Sequence, residues 1–210
     1  MIRMGFPLAL QSMLFPIANS IVQAGVNTMG TDQIAAWGIC DKLNMLIWLM
    51  SDSMGPALTT FVAQNLGAKN PERIRKGVTM GTSMSVGAVA LISVGLFFFA
   101  RILTPLFVSS QDAASLGVLV GTYSRMMAPF FFFYAIAEAL SGACCGTGDT
   151  VRPMITTLLA ICLLRVIGIL LVLPIYGTME CIVVIYIASW IAAGISFLLL
   201  WRFDVSHISK

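Results

Sequence analysis

Long apolar stretches, separated only by short polar or Gly/Pro breaks, dominate this chain of 210 residues. Each stretch is at least as long as the roughly 20 residues that an α-helix needs to cross the hydrocarbon core of a bilayer. The chain is 59% hydrophobic and only 10% charged, whereas soluble domains have roughly 25% charged residues. A soluble fold of this composition would lack polar residues to cover its surface, but a bilayer accepts apolar side chains there. The sequence therefore predicts an all-α, polytopic membrane protein.

The breaks divide the chain into six predicted transmembrane helices, which form a single membrane domain over residues 1–210. Backbone facing lipid must satisfy its own polar groups, so turns are expected only at these breaks. Asn70 and Pro71 suit the cap and first turn of the third helix, and Pro129 predicts a kink or split in the fourth. The predicted helices cover approximately residues 5–28, 33–66, 72–100, 113–146, 151–173 and 179–202.

Basic residues are distributed unequally between the two sides of this predicted bundle. Eight Lys and Arg residues fall on the loops and ends of one side, and Arg101 alone falls on the other. Since cytoplasmic loops carry the excess of Lys and Arg, both termini are expected in the cytoplasm of a cell (plasma or inner) membrane protein. The basic residues form no stripe with interleaved aromatics, which argues against a nucleic-acid partner.

Polar side chains follow one stripe of the first predicted helix. A stripe of amides facing lipid is costly, so these side chains are expected to face protein or a cavity. Two interpretations stay open: they line a cavity and bind substrate, or they form hydrogen bonds between helices. The stripe consists of Gln11, Asn19, Gln23 and Asn27, at separations that are multiples of four residues.

The second predicted helix carries a comparable face. Its members are Asp41, Asn44, Trp48 and Asp52, at spacings of three, four and four. Lys42 stands beside Asp41, whereas Asp52 lies deeper and has no cationic neighbour at helical spacing. An unpaired carboxylate in a dry bundle tends to take up a proton, which is the behaviour that a proton-coupled carrier needs. Asp52 is therefore a candidate for the coupling site; the alternatives are a wet cavity or a pair with Arg125 or Arg165.

Glu138 is the second coupling candidate, because it lies one turn after Tyr134 and beyond the Pro129 break, where a kinked helix often lines a cavity. Arg165 lies in the middle of the fifth helix and must find a carboxylate, carbonyls or water. A structural ion pair is favoured for Arg165 over contact with a substrate. The candidates for the lining of a substrate cavity are Gln11, Asn19, Gln23, Asn27, Asp41, Asn44 and Tyr134.

Enzymatic sites find little support in the sequence. Residues 146–149 read Gly-Thr-Gly-Asp, a string found in intramembrane aspartyl proteases, but the second Asp of those enzymes commonly follows Tyr and no Tyr-Asp pair occurs here. There is no GxSxG string, and the single histidine, His207, lies in the tail. The five cysteines have no metal-ligand spacing. We therefore expect no catalytic residue, no metal and no cofactor beyond a coupling ion.

Four strings, in this order and at this spacing, resemble the C-terminal six-helix lobe of the multidrug and toxic compound extrusion (MATE) family. They are Gly5-Phe6-Pro7, residues 30–36 (GTDQIAA), residues 64–68 (QNLGA) followed by Glu72-Arg73, and residues 146–150 (GTGDT) followed by Pro153-Met154. The resemblance covers approximately residues 5–201. It implies an antiporter in which entry of H+ or Na+ drives export of organic, often cationic, compounds, as two lobes rock around a central cavity.

The resemblance also limits what can be carried over. Phe15 and Tyr134 stand where members with an ion site in this lobe have acidic residues, so Asp52 and Glu138 rest on membrane physics alone. The chain is expected to be a half-size or truncated C-terminal lobe that pairs, within the lipid bilayer, with an N-terminal six-helix lobe or a second copy of itself. The alternatives are a lobe of a related lipid-linked or polysaccharide flippase, or a six-helix scaffold that transports nothing.

Overall fold

The computed structural model describes residues 2–109 and 111–208 and arranges them in six helical segments. Lys210, which contributes to the predicted charge asymmetry, lies outside the described residues. The first three segments are the continuous helices α1 (Ile2–Val26), α2 (Thr31–Gly67) and α3 (Pro71–Leu103), the last extended by a 3-10 turn at Thr104–Leu106. Their bounds agree with the predicted ones to within a few residues.

The fourth segment is split at the predicted proline. Helix α4 (Ala113–Met127) ends at a 3-10 turn, Ala128–Phe130, and α5 (Phe131–Gly146) follows directly. Pro129 has no N–H to donate, and its ring clashes with the preceding turn of an α-helix, so the regular ladder cannot pass through it. The predicted break is therefore confirmed.

The fifth segment differs from the uninterrupted helix predicted for residues 151–173. It consists of α6 (Val151–Thr157), α7 (Leu164–Ile167) and α8 (Leu173–Tyr176), joined by π-helical turns at 158–163 and 168–172. The segment also continues past its predicted end and stops at Gly177, whose φ of +59° is a left-handed cap that glycine adopts without steric cost. The last segment is α9 (Met179–Ile208).

Five of the six segments are long and apolar enough to cross a membrane. Helix α2 is not among the described helices that meet this standard, because carboxylates and amides interrupt its apolar sequence. It nevertheless packs against α3, α4 and α5, and its 37 residues extend over about 55 Å, well beyond a hydrocarbon core of roughly 30 Å. That α2 also crosses the membrane stays a prediction.

Helices α2 and α5 meet at a backbone contact between glycines. A Cβ atom placed on Gly142 would lie 2.1 Å from the carbonyl oxygen of Gly55, and one on Gly146 would lie 2.6 Å from that of Thr59. The Thr59 hydroxyl donates a hydrogen bond to the Gly142 carbonyl at 2.8 Å across the same contact. Small residues four apart let membrane helices approach this closely. The contact fixes α5 against α2 and thereby sets the position of the side chains on both.

Candidate functional site

A cavity of about 300 Å³ opens between α1, α2, α5, α7 and α9. Its lining is both aromatic and charged, a combination that in a membrane protein indicates a site that binds polar ligands or ions. The side chains that line it are Phe15, Asn19, Asp41, Trp48, Asp52, Tyr134, Arg165 and Tyr186.

Tyr134 and Asp52 form a side-chain hydrogen bond between the two helices that meet at the glycine contact. The Tyr134 hydroxyl donates a hydrogen bond to Asp52 Oδ1 at 2.8 Å. Tyr134 is 7% exposed, whereas Asp52 is exposed. Because Gly55 lies three residues beyond Asp52 and packs against Gly142, the closeness of the backbones brings the phenol within reach of the carboxylate.

Glu138 lies close to the Tyr134–Asp52 pair. It lies one turn after Tyr134 on α5, is half-buried, and is within electrostatic reach of both Asp52 and Tyr134. It does not line the cavity itself. Neither Asp52 nor Glu138 takes part in an ion pair within the described part of the chain. The two acids predicted as coupling candidates are therefore neighbours on two different helices.

Arg165 departs from the predicted ion pair. Its side chain is only 3% exposed, yet it forms no salt bridge with any described carboxylate. Its Nε donates to the Ser189 hydroxyl at 3.0 Å and its Nη1 to the Asn19 Oδ1 at 3.3 Å. The guanidinium carbon lies 4.0 Å from the centroid of the Tyr186 ring. The neutral groups of α1 and α9 hold the guanidinium, while Asp52 is bound by a residue of α5.

Arg125 is not the partner of Asp52 either. It is exposed on α4, where its Nε donates to the Phe97 carbonyl at 3.4 Å. Lys42, placed by sequence beside Asp41, lies 5.8 Å from the centre of the Phe107 ring. Both cations thus face other elements, and the carboxylates of the cavity keep no described counter-ion.

Aromatic rings form the deep wall of the cavity. Trp48 packs edge-on against Tyr134 with ring centroids 4.8 Å apart. Behind it, the fully buried Trp190 contacts both Trp48, at 5.7 Å, and Tyr186, at 5.9 Å. Rings in edge-to-face contact hold each other rigidly and present flat apolar surface. The charged groups of the cavity therefore lie against a rigid wall of aromatic rings.

The MatE family model matches residues 7–171, which is more than half of the chain. This chain belongs to the MATE family. The order of its helices and their packing into one bundle agree with the fold of that family.

Several relatives and solved structures show which MATE proteins this chain resembles. The probable multidrug resistance protein YpnP of Bacillus subtilis is 24% identical over 78% of this chain and 36% of its own length. The probable multidrug resistance protein NorM of Thermotoga maritima is 26% identical over 76% of this chain and 34% of its own length. A multidrug resistance MATE family transporter of the MOP superfamily, solved in its outward-facing conformation, covers 100% of this chain at 18% identity with a TM-score of 0.88.

The chain is short beside these proteins. It spans 47% of the solved transporter chain and of a second MATE structure, determined in complex with MaL6, which matches it with 18% identity and a TM-score of 0.89. The matched region corresponds to about a third of each of the two curated relatives. The fold of this chain is thus that of one MATE lobe, and each solved transporter contains about as much chain again.

The structure brings together only part of the predicted cavity lining. Asn19, Asp41 and Tyr134 line the cavity of this MATE lobe, together with the coupling candidate Asp52. Gln11 is half-buried and does not contribute to the lining. Of the amide stripe of α1, only Asn19 therefore lines this cavity.

Of the other predicted lining residues, Gln23 and Asn27 lie outside this cavity, whereas Asn44 lines a small adjoining pocket together with Asp41, Trp48 and Tyr186. Gln23 and Asn27 are exposed, and the Gln23 side-chain amide donates to Asn27 Oδ1 at 2.9 Å along the same helix. Asn44 is buried, with Nδ2 at 3.7 Å from the Met127 sulfur and Oδ1 without a hydrogen-bond partner among the described residues. Helical drift explains the first pair, because separations of four residues rotate slowly away from any one face.

Sequence reasoning missed several lining residues. Phe15 and Tyr186 are aromatic, and nothing in a membrane sequence separates such a residue from one facing lipid. Trp48 had a signal, since helical spacing put it on the same face of α2 as Asp41 and Asp52. Ser189 holds Arg165 but gives no signal of its own. Arg165 did carry a signal, a charge in the middle of a membrane helix, but an ion pair was predicted for it and not a position in the cavity lining.

Proposed function

We propose that this chain works as one lobe of a cation-coupled antiporter that exports drugs or small organic metabolites, with H+ or Na+ as the coupling ion. The observation that carries the proposal is the convergence of Asp52 and Glu138 on Tyr134, from two helices and without a described counter-ion. Asp52 faces the cavity. Family membership supports transport, since relatives are named as multidrug resistance proteins.

The physical basis of the coupling is the cost of charge in a low-dielectric site. A carboxylate without a counter-ion inside a membrane bundle costs several kcal/mol, and a bound proton or metal cation removes much of that cost. An organic cation entering the same cavity competes for the same charge. Entry of one cation then favours release of the other, which is the requirement for exchange. No enzymatic step enters this proposal.

A second lobe is part of the proposal. In this chain several polar side chains of α1 and α2 are exposed, among them Gln23, Asn27, Asp41 and Asp52. Contact of these groups with lipid would be costly. A six-helix N-terminal lobe, or a second copy of this chain, would cover them and close the second wall of the cavity. The solved transporters, about twice as long as this chain, support such an arrangement.

Coupled transport in proteoliposomes tests the proposal. We expect Asp52→Asn and Glu138→Gln, introduced into the functional assembly, to lower efflux driven by a proton or sodium gradient while leaving membrane insertion intact. Each substitution keeps volume and polarity but removes a charge. Asp32→Asn, at the exposed start of α2, is the matched control. Gradient-driven efflux that stays unchanged in both cavity variants would place the coupling site elsewhere.

The proposed orientation, with both termini in the cytoplasm, rests on the distribution of Lys and Arg. Reporter fusions after Lys76 and after Ile175 should report opposite sides of the membrane, because an odd number of crossings separates them if α3, the fourth segment and the fifth segment all span it. Two fusions on one side contradict the six-crossing topology.

A further inference from the structure

The buried guanidinium of Arg165 is an unusual element in a lobe proposed to handle cations. It is 3% exposed, lines the cavity, and has only an amide oxygen, a hydroxyl and a phenol ring as described partners. An Arg side chain has five N–H donors, stays charged, and matches carboxylates with two parallel hydrogen bonds. The two described hydrogen bonds use Nε and one donor of Nη1, so donors remain for an anion at the cavity wall.

Carboxylates lie in the same cavity. Asp41 and Asp52, both on α2, contribute to its lining, and the rings of Trp48 and Tyr134 lie beside them. Arg165 is held on the side of α1 and α9, by Asn19 and Ser189. The cavity therefore offers a positive group and negative groups from different helices, with flat aromatic surface in the same space.

We propose that this cavity selects zwitterionic aromatic compounds, whose carboxylate pairs with Arg165 and whose ammonium pairs with Asp52 or Asp41. The inference deepens the proposed export function and rests on it. A ligand with a single positive charge satisfies the acids but leaves the guanidinium without a counter-ion in a low-dielectric site, which is the costly arrangement. A ligand that carries both charges removes both costs at once. Its ring packs against the aromatic wall.

Three probes that differ only in their charged ends test this selectivity. They are 4-(aminomethyl)benzoate, which carries both charges, 4-methylbenzylamine, which carries the ammonium alone, and 4-methylbenzoate, which carries the carboxylate alone. Binding to the purified protein in mild detergent is followed by intrinsic fluorescence, because Trp48 lines the cavity and Trp190 lies directly behind it. We expect the zwitterion to bind at least about tenfold more tightly than either singly charged probe.

Variants assign the two ends of the ligand. Arg165→Gln should remove the preference for the zwitterion over the ammonium probe and leave binding of the ammonium probe in place. Asp52→Asn should weaken the two probes with an ammonium group and spare the carboxylate probe. Arg125→Gln removes an arginine that is exposed on α4, and it should retain the full preference.

Equal binding of the zwitterion and the ammonium probe to the unaltered protein overturns the inference, and so does absence of zwitterion binding. This comparison needs no variant, so it decides even if Arg165→Gln does not fold. Equal loss of both ammonium-bearing probes in a folded Arg165→Gln protein also overturns it, because the arginine would then only support the fold. Failure of the proposed function is a separate result: charge selectivity in binding without gradient-driven efflux.

Discussion

The two sides of the cavity are built differently. On one side, α2, α5 and α9 pack tightly, and 56% of the residues in an 18-residue stretch of the fourth segment are buried. On the other side lie α1, where the corresponding share is 18%, and Val151–Tyr176, where it is 39%. We call the first the packed side and the second, α1 together with residues 151–176, the open side. Glycines shape the packed side, and exposed amides mark the open one.

This difference assigns separate tasks to the two sides. The packed side holds Asp52, Tyr134 and Glu138 at fixed positions, because the glycine contact leaves no space between α2 and α5. The open side supplies Asn19 from the continuous helix α1 and Arg165 from a segment with a π-helical turn on either side of it. Such turns are frequent at functional sites. Under the proposed function, the packed side is the rigid binding frame and the open side is the part that rearranges.

The largest expected effect is loss of the buried tryptophan of the packed side. Trp190 is fully buried and contacts four aromatic rings, so Trp190→Ala should lower the free energy of unfolding by about 3–5 kcal/mol. Denaturant titration in mild detergent measures it. Phe99→Ala, which truncates an aromatic that is 55% exposed, is the control and should cost far less. Similar losses in both variants would contradict the distinction between the packed frame and the periphery.

The glycine contact is the next test. A Cβ on Gly142 would overlap the Gly55 carbonyl, so Gly142→Ala should cost about 1–3 kcal/mol and weaken the Tyr134–Asp52 hydrogen bond by moving α5 away. Gly87→Ala, on α3 with open space at the Cβ position, is the matched control. It should be neutral or slightly stabilising, because Ala has the higher helix propensity. Equal stability of the two variants would show that α2 and α5 are free to separate.

Features that depend on the chemistry of residues close together in the chain were predictable from the sequence. Asn70 caps α3 by accepting a hydrogen bond from the Arg73 amide at 3.1 Å, as the Asn-Pro pair predicted. Pro129 breaks the fourth segment because it lacks a donor. The spacing of Gly142 and Gly146, two small residues four positions apart, is typical of a close helix contact, and both lie at the contact with α2. Each of these features depends on residues a few positions apart.

Features that depend on the partner helix were not predictable. The sequence contains no signal for the π-helical turns on either side of Arg165, and it favoured an ion pair that Arg165 does not form with any carboxylate the structure describes. Periodicity assigned Gln23 to the same stripe as Asn19, but only Asn19 faces the cavity. Helical spacing fixes which residues share a face, whereas the rotation of that face depends on packing. The cavity thus combines predicted acids with aromatic residues that the sequence did not distinguish.

The open side should tolerate substitutions that the packed side does not. Gln23 and Asn27 are exposed and bond to each other along α1, so in the chain without a second lobe or second copy the double variant Gln23→Leu/Asn27→Leu should change the free energy of unfolding by less than about 0.5 kcal/mol. The same denaturant titration measures it, with mass determination in mild detergent alongside. A large loss, or a change in oligomeric mass, would show that a second lobe or a second copy already covers this stripe.

A comparably small effect is expected in the loop between the fourth and fifth segments, outside the membrane spans. Burial raises the pKa of Asp149, but hydrogen bonds from the Arg152 side chain and from the Arg152 and Val151 amides outweigh it, so the pKa lies below its usual 3.8. A carboxyl group whose pKa is lowered by folding stabilises the folded state above its usual pKa, and that stabilisation is lost as the pH falls through the folded-state value.

We therefore expect Asp149→Asn to cost about 0.5 kcal/mol at neutral pH, a small value because the pair with Arg152 is partly exposed to solvent. The difference between the variant and the unaltered protein should shrink as the pH falls below 3.8, because the unaltered carboxyl group then becomes neutral as well. Thermal unfolding in detergent across this pH range measures it. A difference that is independent of pH would mean that Asp149 acts only as a hydrogen-bond acceptor for the turn, a role that the amide of asparagine fills in part.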